Sequence, residues 1–357
     1  MLLSSMRIGG EELNKLRLAQ GFLEQGYRVD LVLVSEEGVL RSQIPDGVRV
    51  VDLRARRALT SLPKLTRYLR EAKPDVLLSS LDYINITAIW ARALSRVQTR
   101  LVVCEASTLS IHAKYSPKTR ILPLLCRWFY SNADAVVAVS QGVADDLVQK
   151  IGIRPEQVIV IYNPIVSPQL AALAEEPVKH RWFEQEQPPV CLAVGRLVPQ
   201  KDYTSLIQAF AQVRASRQMK LIILGEGEER ARLESLITAL GLEEDIDMPG
   251  FVRNPYAYMK QARAFILSSK VEGLPTSLIE AMCCGAPLIA TDCPSGPREI
   301  LNGGEYGQLV PVGNVAKLAS AIDQTLQHPS PPALVACKRF ESRTVIDQYL
   351  NVLLNPS

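Results

Sequence analysis

Val190-Cys191-Leu192-Ala193-Val194-Gly195-Arg196-Leu197-Val198-Pro199-Gln200-Lys201-Asp202 is a five-residue apolar run that breaks at a glycine, carries two cations five positions apart, and leads into a helical pattern over 203–215. A short apolar run bounded by turn residues predicts a strand buried on both faces, as in a parallel sheet. The same alternation of apolar run and amphipathic stretch recurs along most of the chain. In the first half it predicts strands at 28–34, 48–52, 75–79, 100–104, 135–139 and 157–161, with helices at 11–25, 61–72, 86–95, 118–131 and 141–150. From 190 onward it predicts strands at 190–194, 219–224, 246–248, 264–268, 287–290 and 307–310, with helices between them and a last helix near 342–353. Repeated βα units define an α/β fold with parallel sheets. A chain of 357 residues exceeds one ordinary core. Two Rossmann-like, doubly wound domains facing across a cleft are therefore expected, with ligand at the carboxyl ends of the strands.

The segment 163–189 interrupts this rhythm with Pro164, Pro168, Pro177, Pro188 and Pro189 among polar filler. It reads as a linker. The expected division is an N-terminal domain over 1–165, a linker over 166–189, a C-terminal domain over 190–340, and a final helix in 341–357 that packs back on the N-terminal domain. Only Leu2 and Leu3 precede Ser4-Ser5-Met6-Arg7-Ile8-Gly9-Gly10, so the first strand is very short or the true start lies upstream; the second reading is preferred.

The net charge of +3 gives no case for nucleic acid. Arg41 to Lys73 holds nine basic and three acidic residues, and Arg92 to Arg127 holds seven against Glu105 alone. The first cluster reads as a solvated face. The second reads as a surface for a membrane or an acidic acceptor. Seven cysteines, without C-x-x-C or metal-ligand spacing, suggest free, mostly buried thiols in a reducing compartment. No apolar stretch reaches membrane-span length and no leader is visible, so a cytoplasmic protein with at most peripheral contact to an anionic membrane is expected. Residues 118–131, KTRILPLLCRWFYS, combine basic residues with an apolar aromatic stripe, for which a core helix is preferred over membrane docking.

The chemistry concentrates in Glu272-Gly273-Leu274-Pro275-Thr276-Ser277-Leu278-Ile279-Glu280-Ala281-Met282-Cys283-Cys284-Gly285. Pro275 has its φ preset for a first helical turn, and Gly285 suits the end of the helix. The helix N-terminus favours an anion. Glu272 and Glu280, eight positions apart, are acceptors for hydroxyl groups on either side of that anion. An anion flanked by hydroxyl-bearing rings describes a sugar nucleotide. Arg196 and Lys201 suit its diphosphate; alone they would read as surface cations. Gly225-Glu226-Gly227-Glu228-Glu229-Arg230 matches a dinucleotide fingerprint weakly, because Arg230 replaces the last glycine, and a tight turn is preferred. Gly250-Phe251-Val252 offers backbone to a base edge or is a simple turn. A hydrolase reading of the acid pair is the minority one, because Glu280 points along the helix rather than across a bond.

Taken together, Gly195-Arg196…Lys201-Asp202, Leu224-Gly225-Glu226-Gly227, Gly250-Phe251-Val252, Glu272 to Glu280, and Ser295-Gly296-Pro297-Arg298-Glu299-Ile300-Leu301 resemble the retaining glycosyltransferases of family 4 (glycosyltransferase group 1). Gly9-Gly10-Glu11-Glu12, Ala133 to Ser140 and Ile161-Tyr162-Asn163-Pro164 extend the resemblance through the first half. The resemblance implies the GT-B architecture and transfer from a nucleotide-sugar, UDP by preference, with no cofactor and no metal. It implies that Arg196 and Lys201 bind the diphosphate, that Glu272 holds donor-sugar hydroxyls, and that Glu280 binds the ribose. It further places Gly10, Gly195, Glu226, Phe251, Val252, Gly273, Leu274, Pro275 and Thr276 around the donor. Such enzymes rely on leaving-group stabilisation and positioning. The acceptor implied is a glycan or lipid-linked intermediate of cell-surface polysaccharide assembly. Many relatives carry a histidine after the fourth strand; here the loop reads Cys104-Glu105-Ala106-Ser107-Thr108, and Glu105 or Ser107 takes the sugar-facing place. Two alternatives stay open: a UDP-sugar epimerase of the same architecture, and a non-catalytic nucleotide-sugar-binding subunit.

Overall fold

The computed structural model describes residues 1–7, 9–111, 121–183 and 188–355. The chain forms two compact units, Met1–Pro164 with Phe340–Ser357, and Ile165–Arg339.

The first unit is built on seven parallel strands: β1 Leu2–Leu3, β2 Asp30–Leu33, β3 Arg49–Asp52, β4 Val76–Ser80, β5 Arg100–Glu105, β6 Ala135–Ala138 and β7 Val158–Val160, in the order β3-β2-β1-β4-β5-β6-β7. Runs such as LVVC and AVVA are buried throughout, because crossover helices cover parallel sheets on both faces. The two residues of β1 occupy the central slot, with Leu2 opposite Val32 on one side and Ser79 on the other. Flanking backbone bonds extend this short pairing: Val32 N donates to Met1 O at 2.8 Å and Val34 N to Leu3 O at 3.0 Å. A short strand in the middle of the sheet is thus what the structure builds from Leu2 and Leu3.

Helix Ser342–Leu354 belongs to this unit and packs on helix Gly10–Glu24. Gly21 makes room for it, since a Cβ there would lie 2.1 Å from Ile346 Cδ1. Beneath the contact, the buried Lys15 ammonium pairs with Glu11 at 3.1 Å and lies over the Tyr349 ring. The first basic cluster is exposed throughout, a solvated face. In the second cluster, Arg92 is bonded to Asp134 and Asn132 O, and Arg100 to Val352 O and Asn355 O. These two arginines are structural fasteners. Lys114, Lys118 and Arg120 lie outside the described residues.

The second unit carries six parallel strands: β8 Val190–Val194, β9 Lys220–Leu224, β10 Ile246–Gly250, β11 Ala264–Leu267, β12 Leu288–Thr291 and β13 Gln308–Val310, in the order β10-β9-β8-β11-β12-β13. The strand order reverses between β8 and β11, the position where doubly wound sheets leave a crevice for ligand.

The expected linker is corrected, because its first part is folded into this unit. Pro168–Ala174 is a helix capped by Ser167, whose Oγ accepts from Leu170 N at 3.3 Å. Pro168 sits at the first helical turn, where its missing N–H costs nothing. Asn254 Nδ2 donates to Leu173 O and to Glu176 at 2.8 Å each, and His180 bonds Asp247 at 2.8 Å. The prolines that looked like linker punctuation therefore start a packed helix.

The thiols are corrected too. Cys283 and Cys337 form a disulfide with Cα atoms 5.8 Å apart, while Cys104, Cys126, Cys191, Cys284 and Cys293 are free. The two half-cystines stand 54 positions apart in sequence, out of reach of spacing rules.

Candidate active site

Loops at the carboxyl ends of β8 to β12 are stitched into one surface. Gly195 N donates to Leu224 O at 3.0 Å, Leu197 N to Glu226 O at 2.9 Å, and Gly225 N to Gly250 O at 2.9 Å. These bonds join the loops after β8, β9 and β10. Lys270 N donates to Gln200 O at 2.8 Å, and Gln200 Nε2 to Val271 O at 2.6 Å, which joins the β8 loop to the β11 loop. Ser295 Oγ donates to Gly273 O at 2.8 Å and Thr291 Oγ1 to Ser269 O at 2.6 Å, which adds the end of β12.

At the centre, Lys201 Nζ meets Glu272 Oε1 at 2.6 Å, with the two side chains only 17% and 9% exposed. Ser269 Oγ donates to the same carboxylate oxygen at 2.6 Å, and Ser268 Oγ to Lys201 O at 2.7 Å. Lys201 and Glu272, which the sequence sends to different parts of a ligand, are thus direct partners. A cation and an anion this close and this dry hold each other's geometry firmly. Arg196 differs: its side chain is exposed, and no ion pair engages it among the described residues. Gly195 keeps the strand end low, since a Cβ there would lie 2.9 Å from the buried Tyr203 hydroxyl and 3.3 Å from Lys201 Cε.

The short helix Thr276–Cys283 starts after Pro275, beside this pair. Pro275 is its N-cap, and the half-buried Gly273 and Thr276 and the buried Leu274 surround its first turn. Gly296 holds the loop after β12 against that turn, because a Cβ there would lie 2.4 Å from Pro275 Cδ. Glu280, one turn further on, accepts from Tyr256 Oη at 3.3 Å.

Glu226 and Phe251 sit at the margin of the surface. The Glu226 carboxylate is gripped by Arg230 through Nε and a terminal nitrogen at 2.8 Å each, and this bonding holds its pKa below the usual carboxylate value. It fastens the turn into helix Arg230–Ala239. Phe251 is largely exposed and Val252 half-buried just beyond β10. Sequence reasoning missed Ser269, Asp202 and Lys270, the last two paired at 3.2 Å. Hydroxyls directly after β11 were the available signal for Ser269.

In the first unit, Gly10 is exposed and opens helix Gly10–Glu24. Glu105 ends β5 and is 1% exposed. Tyr130 Oη donates to its Oε2 at 2.8 Å, and Ser107 Oγ lies 3.2 Å from its Oε1. Burial, followed by the charge of Asp82, raises the Glu105 pKa to about 8, against the opposing hydrogen bonds from Tyr130 and Ser107. His112 lies outside the described residues.

Two doubly wound parallel-sheet domains with this loop surface place the molecule in the GT-B class. Residues 175–342 match the model for glycosyl transferases group 1, and residues 8–167 match that for glycosyltransferase family 4. The chain is 33% identical over 250 residues to an N-acetylgalactosaminyltransferase of Campylobacter jejuni named for a diphospho-undecaprenol acceptor, with 69% of this chain and 66% of that protein covered. It is 30% identical over 252 residues to the amylovoran biosynthesis glycosyltransferase AmsD of Erwinia amylovora, covering 70% and 67%. The match spans about two-thirds of each relative's own length. Among solved structures, Anabaena HepE in complex with UDP-glucose superposes with a TM-score of 0.80 at 23% identity, covering 99% of this chain and 98% of that one. The chain belongs to glycosyltransferase family 4, group 1.

Proposed function

We propose that this chain is a retaining glycosyltransferase that moves a sugar from UDP to a lipid-linked glycan acceptor without a metal ion. One observation carries the reading: the buried Lys201–Glu272 pair lies at the β8/β11 switch point beside a helix N-terminus, with the exposed Arg196 on the same loop. An approaching diphosphate meets two cations and a set of free backbone N–H groups. Negative charge grows on that diphosphate as the glycosidic bond breaks, and fixed positive groups stabilise it there. The oxygen of the departing phosphate takes the acceptor's proton, so the protein supplies no separate base. Glu272 binds sugar hydroxyls while it keeps Lys201 in place. UDP is chosen because the similar HepE fold binds UDP-glucose. The lipid-linked acceptor follows the name of the Campylobacter relative.

The test is a thermal-shift series with UDP and a panel of nucleotide sugars, because a bound donor stabilises by mass action. It is followed by NMR of the product anomer and an assay in EDTA. An inverted anomer removes the retaining assignment, and loss of activity in EDTA removes metal independence. Arg196→Ala should leave unfolding unchanged, since Arg196 is exposed and makes no ion pair among the described residues, while UDP affinity falls about 10- to 100-fold, the worth of a charged hydrogen bond. Unaltered UDP affinity in that variant would take Arg196 out of the site.

The proposal includes peripheral membrane contact. Of the expected core helix over 118–131, residues 118–120 lie outside the described residues; Leu122–Phe129 is helical, and only Cys126 of it is buried, so the expected core packing is corrected. Ile121, Leu124 and Trp128 are 59%, 46% and 62% exposed and lie three and four positions apart, on one face. Such a stripe with exposed Arg127 beside it fits the interface of an anionic bilayer. No helix among the described residues is long and apolar enough to cross a membrane. Leu124→Ser with Trp128→Ser should abolish sedimentation with anionic vesicles while circular dichroism is unchanged. Phe129 is left intact because it packs edge-on against Trp90 at 5.2 Å. Undiminished sedimentation would reject the surface.

A further inference from the structure

A buried chain of hydrogen bonds in the first unit ends at Glu105, and each link has a defined direction. Ser79 Oγ donates to Asn85 Oδ1 at 2.7 Å. Asn85 Nδ2 then donates to Cys104 O at 2.9 Å and to Tyr130 Oη at 3.0 Å. The Tyr130 oxygen is thereby an acceptor, and its own proton goes to Glu105 Oε2 at 2.8 Å. Ser79, Asn85 and Tyr130 are fully buried. Among the described residues, the partner of the remaining oxygen, Oε1, is the half-buried Ser107 hydroxyl at 3.2 Å.

Charges around Glu105 come from several elements. Asp82 opens helix Asp82–Ser95, and Glu11 lies on helix Gly10–Glu24; both repel a second negative charge. Tyr130 follows helix Leu122–Phe129, its hydroxyl kept protonated by burial and by the neighbouring acid. Cys126 beneath it is a neutral thiol, raised by burial. Lys15 is bonded to Glu11 and to Cys104 Sγ rather than to Glu105. Buried, and with no cation bonded to it among the described residues, Glu105 is held above the usual carboxylate range, at about 8, and keeps its proton at pH 7. A neutral carboxyl has one proton to give, and because Oε2 is occupied by Tyr130, that proton sits on Oε1 and points at Ser107. The Ser107 hydroxyl then directs its own proton away from Glu105. Ionised Glu105 reverses this, and Ser107 turns inward to donate to the carboxylate. The same strand ends hold two buried hydroxyls, Ser80 Oγ and Thr108 Oγ1, with no partner among the described residues, as expected of an edge that receives a polar ligand.

We propose that Glu105 is a positioning residue whose proton aims the Ser107 hydroxyl outward, as a hydrogen-bond donor to an oxygen of the substrate bound at the carboxyl edge of this sheet. This rests on the transferase reading for the identity of the substrate, a sugar or its acceptor. Glu105→Gln reproduces the neutral acid, with its carbonyl accepting from Tyr130 and its amide donating to Ser107. Wild-type kcat/KM should fall through pH 8 and level off about tenfold down, at the Ser107→Ala value, once Glu105 is ionised. The Glu105→Gln enzyme should keep near wild-type kcat/KM at pH 7 and stay level to pH 9. Ser107→Ala should stay level with pH at about a tenth of the wild-type pH 7 value, the loss lying chiefly in KM. The proposal is overturned by an alkaline fall that persists in Glu105→Gln, by a Glu105→Gln enzyme as impaired at pH 7 as Ser107→Ala, or by an unimpaired Ser107→Ala. Infrared difference spectra of wild type against Glu105→Gln test the proton without catalysis. A neutral-carboxyl band at pH 7 is expected, and its absence overturns the proposal even if no sugar transfer is found, an outcome that would itself defeat only the functional reading.

Discussion

Replacing Glu272 by glutamine should lower the turnover of sugar transfer by roughly 100- to 1000-fold, and Lys201→Met should do the same, the scale seen when one preorganised charge-stabilising group is removed. Glutamine keeps the size of Glu272 and its bond from Ser269 but removes the charge that holds Lys201 at 2.6 Å. Lys201 then relaxes from the position where the leaving diphosphate needs it, and a partly buried ammonium is left without its anion. That second effect is a stability cost on the order of 3 kcal/mol. The two consequences separate experimentally. A Lys201→Met/Glu272→Gln double variant has no orphaned charge, so its urea midpoint should recover toward wild type while turnover stays lost. Full turnover in Glu272→Gln would sink the assignment. Recovery of turnover in the double variant would show that the pair is only a structural strut.

Gly225→Ala should be the most damaging small substitution in the second unit. Gly225 has φ +142°, a region that residues with a Cβ avoid, and an added Cβ would lie 2.0 Å from Gly195 O. Neither loop is free to yield, because Gly195 N is bonded to Leu224 O and Gly225 N to Gly250 O. Overpacking and backbone strain together cost about 3–5 kcal/mol. For a unit of this size that is a fall in Tm of roughly 6–20 °C. The displaced strand end also carries Arg196, so the stabilisation by UDP should vanish. Gly303→Ala is the control: its φ is +69° with nothing within 4 Å of the added Cβ, so it should cost only about 1 kcal/mol of strain. Equal Tm values for the two variants would show that the close approach to Gly195 is not structural.

The donor-side loops were legible because their information is local. A strand, a glycine turn and a helix start lie within about a dozen residues, and Gly195, Gly225 and Glu272 each mark one such junction. The helix Pro168–Ala174 was illegible for a related reason: proline marks both a linker and a first helical turn, and only the packing against helix Pro255–Gln261 separates the two. The stripe Ile121, Leu124 and Trp128 has the same spacing whether it faces a core or solvent, so exposure required the neighbours to be in place. Glu105 was recognisable as a residue of interest, but its partner Tyr130 stands 25 positions further on, and Asn85, which donates to that tyrosine, stands 45 positions from it.

By itself the sequence determined the α/β class, the two parallel-sheet domains and the order of nearly every element, because periodicity and turn chemistry act over a few residues, while the family was legible through the resemblance of its loop motifs. The tertiary structure alone decided that Lys201 and Glu272 are partners, that a two-residue strand holds the centre of its sheet, and that Cys283 meets Cys337. Those outcomes depend on contacts between residues tens of positions apart. Such contacts form only when burial brings whole elements together, and no local pattern encodes which side chain will then lie opposite which.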